Sequence, residues 1–182
     1  MSTDWDHPCF NFRDVGLWVN CIAERRLLAE GVLFRGGSID EVERRSQIGG
    51  VESVLNLRAG PDPRTLDVRY GHAPMPNGTD CYEPGRREVW QWFVRAFRFV
   101  AQVDRAWPLL VHCRWGKDRT GVVVGGLLTL AGVPLEVVLE EYALSDGRLD
   151  GAAMRGAMQV IHERTRHLPD GEVARVRARL AC

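Results

Sequence analysis

Residues 107–131 constrain the fold of this chain more than any other stretch. The apolar run 107–111 is typical of a buried parallel strand, and the apolar run 122–131 is typical of a helix packed against that strand. Residues 112–121 lie between them and contain two glycines where the backbone must turn tightly. Such a turn gathers backbone N–H groups and the positive end of a helix dipole around one point. The stretch therefore predicts an anion-binding loop at the carboxyl end of a strand.

Two side chains of this loop have the types and spacing that phosphoryl transfer requires. Cys113 follows the predicted strand directly, where the N–H groups, the helix dipole and Arg119 all favour its thiolate. Arg119 opens the predicted helix and can hold two phosphate oxygens in a planar fork. We predict that Cys113 is the nucleophile and Arg119 the phosphate clamp. The predicted phosphate-binding set is Arg58, Arg114, Trp115, Gly116, Lys117, Asp118 and Arg119.

The loop also resembles a known family signature. His-Cys-x5-Arg-Thr-Gly at 112–121 resembles the signature of the cysteine-based protein tyrosine phosphatase superfamily. Its form His-Cys-x-x-Gly-Lys-Asp-Arg-Thr-Gly is similar to the bacterial branch that acts on phosphotyrosine and phosphoinositides. Asn-Phe-Arg-Asp at 11–14 and Glu-Tyr-Ala-Leu-Ser at 141–145 are similar to two outer motifs of that branch. The branch usually has a small residue where this chain has Trp115.

The resemblance implies a role for several individual residues. Cys113 is expected to form a phosphocysteine intermediate, and Thr120 to hydrogen-bond the thiolate as it leaves. His112 is expected to orient the loop and support the thiolate, not to carry a proton. Lys117 is expected to neutralise a second phosphate, with a solvated rim charge as the alternative. Arg58 leaves the end of a predicted strand, where α/β sheets place ligands, but a structural ion pair is favoured for it.

The leaving oxygen needs a proton, and several carboxyl groups are candidates for the general acid. Asp118 lies inside the loop, as in phosphoinositide-acting relatives. Asp80 lies 33 residues before Cys113, about where classical and dual-specificity relatives carry a mobile acid loop. Asp118 is preferred, Asp80 is the rival, and Asp62 and Asp67 are the remaining alternatives.

The composition excludes several other classes of protein. The chain has 182 residues, a formal net charge of zero and five cysteines without metal-ligand spacing. We therefore expect no metal or other cofactor, no nucleic-acid partner and no stable membrane insertion. The polar start is unlike a signal peptide, and a thiolate nucleophile suits a reducing cytoplasm.

The predicted elements alternate between strand and helix and then become all-helical. Strands are predicted at 17–19, 32–35, 51–57, 70–75 and 107–111, and helices at 38–47, 88–103, 122–131, 135–144, 154–164 and 172–180. The expected fold is a single α/β domain over 1–182, a three-layer sandwich with a central, mostly parallel sheet and a helical carboxyl-terminal part. The resemblance makes it similar to the tyrosine phosphatase fold.

Three functions are compatible with these features. The first is a metal-independent phosphatase of phosphotyrosine, and also of phosphoinositides. The second is the same chemistry on a small phosphorylated metabolite such as a nucleotide, sugar or inositol phosphate. The third is a phosphate-binding pseudo-enzyme or interaction module, which would need neither Cys113 nor an acid beside it.

Overall fold

The computed structural model describes residues 7–63, 66–75, 79–102 and 104–182. Among these residues, five strands form one sheet in the order β1-β2-β5-β3-β4. All neighbouring strands are parallel except β1, which is antiparallel to β2. The strands are β1 Arg13–Asp14, β2 Leu33–Gly36, β3 Ser53–Asn56, β4 Arg69–His72 and β5 Leu109–His112. β5 is the middle strand, so its carboxyl end meets the carboxyl ends of β2 and β3 at one edge of the sheet.

The described residues also form six α-helices, which pack on one face of the sheet. Each contributes buried side chains to the larger of two hydrophobic clusters. The helices are α1 Val15–Ala23, α2 Arg87–Ala101, α3 Asp118–Leu130, α4 Leu135–Ala143, α5 Gly151–Arg164 and α6 Asp170–Leu180.

The other face of the sheet is covered by irregular chain. Successive side chains of a strand point to opposite faces. Leu109 of β5 therefore joins the helix-side cluster, whereas Leu110 joins the smaller cluster on the other face. Residues 37–51, which include the 3-10 helix Arg45–Ile48, cover that smaller cluster. The result is the predicted layered α/β architecture around a mostly parallel sheet, with its third layer made mainly of loops.

The strand predicted at 17–19 is wrong, because these residues lie in α1. Asp14 caps this helix, and its carboxylate accepts hydrogen bonds from the N–H groups of Gly16 (2.9 Å) and Leu17 (3.3 Å). Val15 and Val19, four residues apart, point together into the core. A short apolar run does not distinguish helix from strand, and here the capping carboxylate decides.

The α-helix predicted at 38–47 is also wrong, because only the 3-10 helix Arg45–Ile48 forms there. Ser38 and Asp40 have side chains typical of a helix cap, which is why a helix is predicted from residue 38. Their side chains instead accept hydrogen bonds from the guanidinium of Arg58, at 3.0 and 2.6 Å. The segment is thus drawn toward the edge of the sheet where the predicted anion-binding loop lies.

The other predicted elements are confirmed within a few residues. The helix predicted from 122 begins earlier, at Asp118, so the anion-binding loop passes directly into its first turn. Val103, the predicted end of the helix that begins at residue 88, lies outside the described residues, as do residues 1–6. No helix in the described part of the chain is long and apolar enough to cross a membrane.

Replacing Gly126 by Ala should destabilise the fold. A Cβ atom at Gly126 of α3 would lie 2.3 Å from the ring of Phe93, which is fully buried on α2. We expect a loss of about 1–3 kcal/mol in the free energy of unfolding, as in other overpacked cores. Urea denaturation measures this loss. Gly156→Ala on α5 is the matched control, since a Cβ there meets open space. It should leave the stability unchanged or raise it by about 0.5–1 kcal/mol. Equal effects of the two substitutions would contradict this account.

Candidate active site

Residues 113–117, which join β5 to α3 and are called the cysteine loop below, lie at the carboxyl edge of the sheet. Cys113 is only 3% exposed, and its N–H group donates to the carbonyl of Gly36 at the end of β2 (3.4 Å). Carboxyl ends of parallel strands are where α/β folds place ligands. The loop thus lies where the sequence predicted a site.

The carbonyl groups of the cysteine loop are held by residues outside it. Arg114 O accepts from the N–H of Ser38 (3.0 Å), and Trp115 O accepts from Asn11 Nδ2 (2.8 Å). The carbonyl of the next residue, Gly116, accepts from the guanidinium of Arg35 (2.9 Å). These three bonds turn successive carbonyls away from the centre of the loop.

The N–H groups of the loop are therefore left for a ligand. Those of residues 114–117 have no acceptor among the described residues. Gly116 enables this conformation, because its φ is +67° and a Cβ atom there would lie 2.5 Å from the backbone of Gly36. With the first turn of α3 directly behind, these groups form a concave site for an anion.

Arg119 lies on the first turn of α3 and reaches across to β3. One of its guanidinium nitrogens donates to Leu57 O (3.0 Å), which fixes the orientation of the planar group. A guanidinium carries five N–H donors, so most remain for a ligand. Arg119, Arg58, Arg114 and Trp115 line one cavity of about 490 Å³ beside the cysteine loop.

Thr120 is fully buried and contacts the same backbone as the nucleophile candidate. Its hydroxyl donates to Gly36 O (3.5 Å), the carbonyl that also accepts from the N–H of Cys113. The hydrogen bond from Thr120 to the thiolate stays a prediction.

His112 is fully buried and is paired with a residue far away in the sequence. Its Nε2 lies 2.9 Å from Asp62 Oδ2, and the Asp62 side chain is 1% exposed. Its Nδ1 has no partner among the described residues. Asp62, a minor candidate for the general acid, is therefore buried as a partner of His112 and also of Arg58 (3.3 Å). Asp67 is exposed and lies in the segment that leads into β4.

Arg58 forms the structural ion pairs that were favoured for it. It donates to Asp40 (2.6 Å) and to the buried Asp62. The hydrogen bond from Arg58 lowers the pKa of Asp40 below its usual value, and the same bond raises the pKa of Arg58. The charge of this guanidinium is thus largely compensated, although the side chain lines the cavity.

Lys117 is held at the edge of the loop. Its ammonium group donates to the carbonyl of Arg148 (2.7 Å) and lies 3.6 Å from Asp118 Oδ2. The side chain is 17% exposed. Its amine is therefore engaged by the protein, and the predicted contact with a second phosphate remains a prediction.

The two rival acids lie in different settings. Asp118 begins α3, and its Oδ1 accepts a hydrogen bond from the hydroxyl of Tyr82 (2.7 Å). Asp80 is exposed, and its carboxylate accepts from the backbone N–H of Tyr82 (2.9 Å), which is a local turn contact. Asp118 is thus part of the loop-to-helix junction, while Asp80 shapes its own segment.

Trp115 is the most exposed large apolar side chain at the site. It is 55% exposed, the guanidinium of Arg114 lies 5.4 Å from its ring centre, and Phe10 meets it edge-on at 6.2 Å. The indole thus forms an aromatic wall beside the loop.

Cys113 is one of three buried cysteines, with Cys9 and Cys81. Burial raises the pKa of Cys9 to about 12. Burial, reinforced by the charge of Asp118, raises the pKa of Cys81 as well. Those two thiols stay protonated near neutral pH, and of the three buried cysteines only Cys113 lies in the cysteine loop. Among the described residues, no group of three or more His, Cys, Asp or Glu side chains is placed to hold a metal ion.

A buried ionic network, in which the roles of Glu141 and Arg35 were not predicted from the sequence, supports the cysteine loop from behind. Glu141 of α4 is 1% exposed and binds Arg13 of β1 (2.8 Å) and Arg35 of β2 (2.5 Å). Both arginines also donate to Ser145 Oγ. Arg35 then reaches the carbonyl of Gly116. A charged residue inside the otherwise apolar stretch of β2 was the available signal, since a buried charge requires a partner.

Comparison with known proteins gives a family and several relatives. The family model described as "Tyrosine phosphatase family" matches residues 6–180. A tyrosine-protein phosphatase of Nostoc commune is 44% identical over 69 residues, which cover 38% of this chain and 21% of that protein. The inositol diphosphatase DSP5 of Arabidopsis thaliana is 30% identical over 128 residues, covering 63% of this chain and 58% of that protein. The chain thus spans less than two thirds of either relative.

A solved structure has the same fold. The core catalytic domain of the PP-IP phosphatase SIW14 from S. cerevisiae superposes with a TM-score of 0.52 at 17% identity. The match covers 79% of this chain and 94% of that one.

Replacing Glu141 by Gln should destabilise the protein strongly. Two buried guanidinium groups would lose their shared counter-charge, and we expect a loss of about 3–5 kcal/mol in the free energy of unfolding. Glu136→Gln on the same helix is the matched control, because its pair with Arg155 is solvent-exposed and its loss should change the stability little. Denaturant-induced unfolding at neutral pH measures the loss of stability in both variants. Similar losses in the two variants would contradict the proposed support.

The same network predicts how the stability of the protein changes at acid pH. Burial alone would raise the pKa of Glu141, but the charges of Arg35 and Arg13 outweigh it and hold the pKa below the usual 4.5. A lowered pKa gives stability that is present above the unfolded-state value and is lost as the pH falls through the folded-state value. The difference in stability between the parent and Glu141→Gln should therefore shrink as the pH is lowered below 4.5.

Proposed function

The chain belongs to the tyrosine phosphatase family, and we propose that it hydrolyses phosphomonoesters through a covalent phosphocysteine intermediate. One observation supports this proposal above the others: the carbonyls of residues 114–116 are hydrogen-bonded to residues outside the loop, while the N–H groups of residues 114–117 have no acceptor among the described residues. A phosphoryl group bound there would be held by the N–H groups and by the arginine fork.

In the first step, the thiolate of Cys113 attacks phosphorus while the ester oxygen leaves. A phosphorus–sulfur bond forms, the phosphorus–oxygen bond to the leaving group breaks, and Asp118 gives its proton to the leaving oxygen. The charge on the remaining phosphoryl oxygens is stabilised by the loop N–H groups and by Arg119.

In the second step, water attacks the phosphocysteine. Asp118, now a carboxylate, takes a proton from this water, inorganic phosphate forms, and the Cys113 thiolate is released. Thr120 would donate to the departing sulfur, as the family resemblance implies. His112, held by Asp62, keeps the end of β5 in place for both steps.

The charges around the site favour a substrate with a single phosphate on an aromatic group. Arg58 is already paired with two carboxylates, and Lys117 is engaged by a carbonyl and by Asp118. A ligand with several phosphates would therefore meet few uncompensated cations beyond Arg119 and Arg114. The exposed ring of Trp115 offers a surface on which a phenyl ring could stack. We accordingly propose phosphotyrosine in a peptide as the substrate.

An inositol phosphate is the second candidate, because the Arabidopsis relative is named an inositol diphosphatase. The reactive thiol further favours a reducing compartment such as the cytoplasm as the working place of the enzyme.

Replacing Cys113 by Ser should abolish turnover but not phosphate binding. Serine lacks a thiolate, while the N–H groups and Arg119 remain, so we expect at least a thousandfold lower kcat, roughly the loss seen when a catalytic nucleophile is removed. Rates on an aryl phosphate and vanadate binding by calorimetry measure the two effects. Turnover near that of the parent would exclude the covalent mechanism, and an inactive parent that binds vanadate would favour a binding module.

A substrate panel tests the choice of leaving group. We expect kcat/KM to be at least about tenfold higher for phosphotyrosine peptides than for inositol pyrophosphates or nucleotides. Trp115→Ala should lower the kcat/KM for the peptides about threefold to tenfold, which corresponds to the loss of one aromatic pair. Leu17→Ala, which alters an exposed apolar side chain on α1, is the control. A preference for an inositol pyrophosphate would overturn the proposed substrate and leave the cysteine chemistry intact.

A further inference from the structure

A chain of hydrogen bonds ends on the carboxyl group of Asp118. Tyr82 Oη lies 2.7 Å from Asp118 Oδ1 and 2.7 Å from Tyr142 Oη. Tyr142 Oη in turn accepts from the backbone N–H of Asp150, at 3.4 Å. Tyr82 comes from the segment before α2, Tyr142 from α4 and Asp150 from the start of α5. Residues from three separate parts of the fold thus form a hydrogen-bond chain whose last member, Tyr82, contacts the carboxyl group of Asp118.

The direction of every bond in this chain follows from the number of protons available. A phenol has one O–H donor, and an ionised carboxylate only accepts. When Asp118 is ionised, Tyr82 must therefore donate to it, and the bond between the phenols is donated by Tyr142. When Asp118 carries its proton on Oδ2, its Oδ1 still accepts from Tyr82 and both directions are the same. Burial, together with the hydrogen bond to Asp118 and the charge of that carboxylate, raises the pKa of Tyr82, so that it remains a donor at working pH.

We propose that Tyr82 is a positioning residue that orients the general acid. Its hydroxyl occupies Oδ1 of Asp118, so the proton given to the leaving group is carried on Oδ2, the oxygen that lies 3.6 Å from Lys117 Nζ. This proposal rests on the phosphatase function proposed above, with Asp118 as the acid. Tyr142 supports Tyr82 by donating to it and by filling its second hydrogen-bond position.

The same geometry gives Asp80 a different role from the one first considered. Asp80 Oδ1 accepts from the backbone N–H of Tyr82, and Asp80 O accepts from the N–H of Glu83 (3.3 Å). These contacts close the turn that presents Tyr82 to Asp118. Asp80 therefore acts through Tyr82 and does not give the proton itself.

Kinetics on two aryl phosphates test this arrangement. Phenyl phosphate has a basic leaving oxygen that needs an acid, whereas 2,4-dinitrophenyl phosphate leaves without one. We expect Asp118→Asn to lower kcat about a hundredfold on phenyl phosphate and only a few fold on the dinitrophenyl ester. Tyr82→Phe should lower kcat about tenfold on phenyl phosphate, with KM and the dinitrophenyl rate nearly unchanged. Tyr142→Phe should cause a smaller loss of the same kind.

Two substitutions at Asp80 separate its roles. Asn keeps the accepting oxygen and Ala removes it, so Asp80→Asn should retain nearly the parent rate on phenyl phosphate, while Asp80→Ala should approach Tyr82→Phe. If Asp80 were the general acid, both variants would lose the same amount of activity on phenyl phosphate, because neither Asn nor Ala can give the proton. A large loss of kcat on phenyl phosphate in Asp80→Asn would thus overturn the proposal.

The other outcomes are equally distinct. If Tyr82→Phe slows both esters alike, Tyr82 only stabilises the fold and the positioning role is wrong. If Asp118→Asn slows both esters alike, the assignment of the acid is wrong, and the positioning role falls with it. Neither result affects the covalent step, which is tested separately at Cys113. The dinitrophenyl rate of each variant shows that its active site is folded.

Discussion

The outward orientation of the carbonyl groups in the cysteine loop is the constraint on which the site depends. A peptide unit that points its carbonyl one way points its N–H the other way, so anchoring the carbonyls of residues 114–116 directs the N–H groups toward a single point. The anchors come from Asn11, just before β1, and from Arg35 and Ser38, which lie in β2 and directly after it. The loop therefore owes its shape to distant residues as much as to its own glycine.

Nearly every charge around the loop is compensated in pairs. Glu141 balances two arginines behind the loop, Asp62 is shared by His112 and Arg58, and Lys117 faces a carbonyl. Such pairing fixes positions, because an isolated buried charge would be costly. It also limits the positive potential at the mouth, so the affinity for an anion depends mainly on the loop N–H groups and on Arg119.

The sequence was sufficient for the local part of this arrangement. Strand, loop and helix are contiguous from 107 to 131, and their order alone predicted where the anion-binding loop would lie. The supporting pairs join residues far apart: His112 and Asp62 are separated by 50 positions, and Arg13 and Glu141 by 128. No periodicity reports such pairs, so Asp62 was considered as an acid. Part of helix α1 was predicted as a strand, because three apolar residues are too few to show either the helical or the strand periodicity.

The position of Lys117 has a practical side. It is the single lysine of the chain, and its amine is bound to the carbonyl of Arg148 beside the cysteine loop. Acylating reagents, which modify many surface sites on most proteins, therefore have one side-chain target here. Immobilisation or dye labelling through lysine would attach the protein by the rim of the cysteine loop. Attachment through a lysine added on the far side of the molecule, with Lys117 replaced, would keep that rim free.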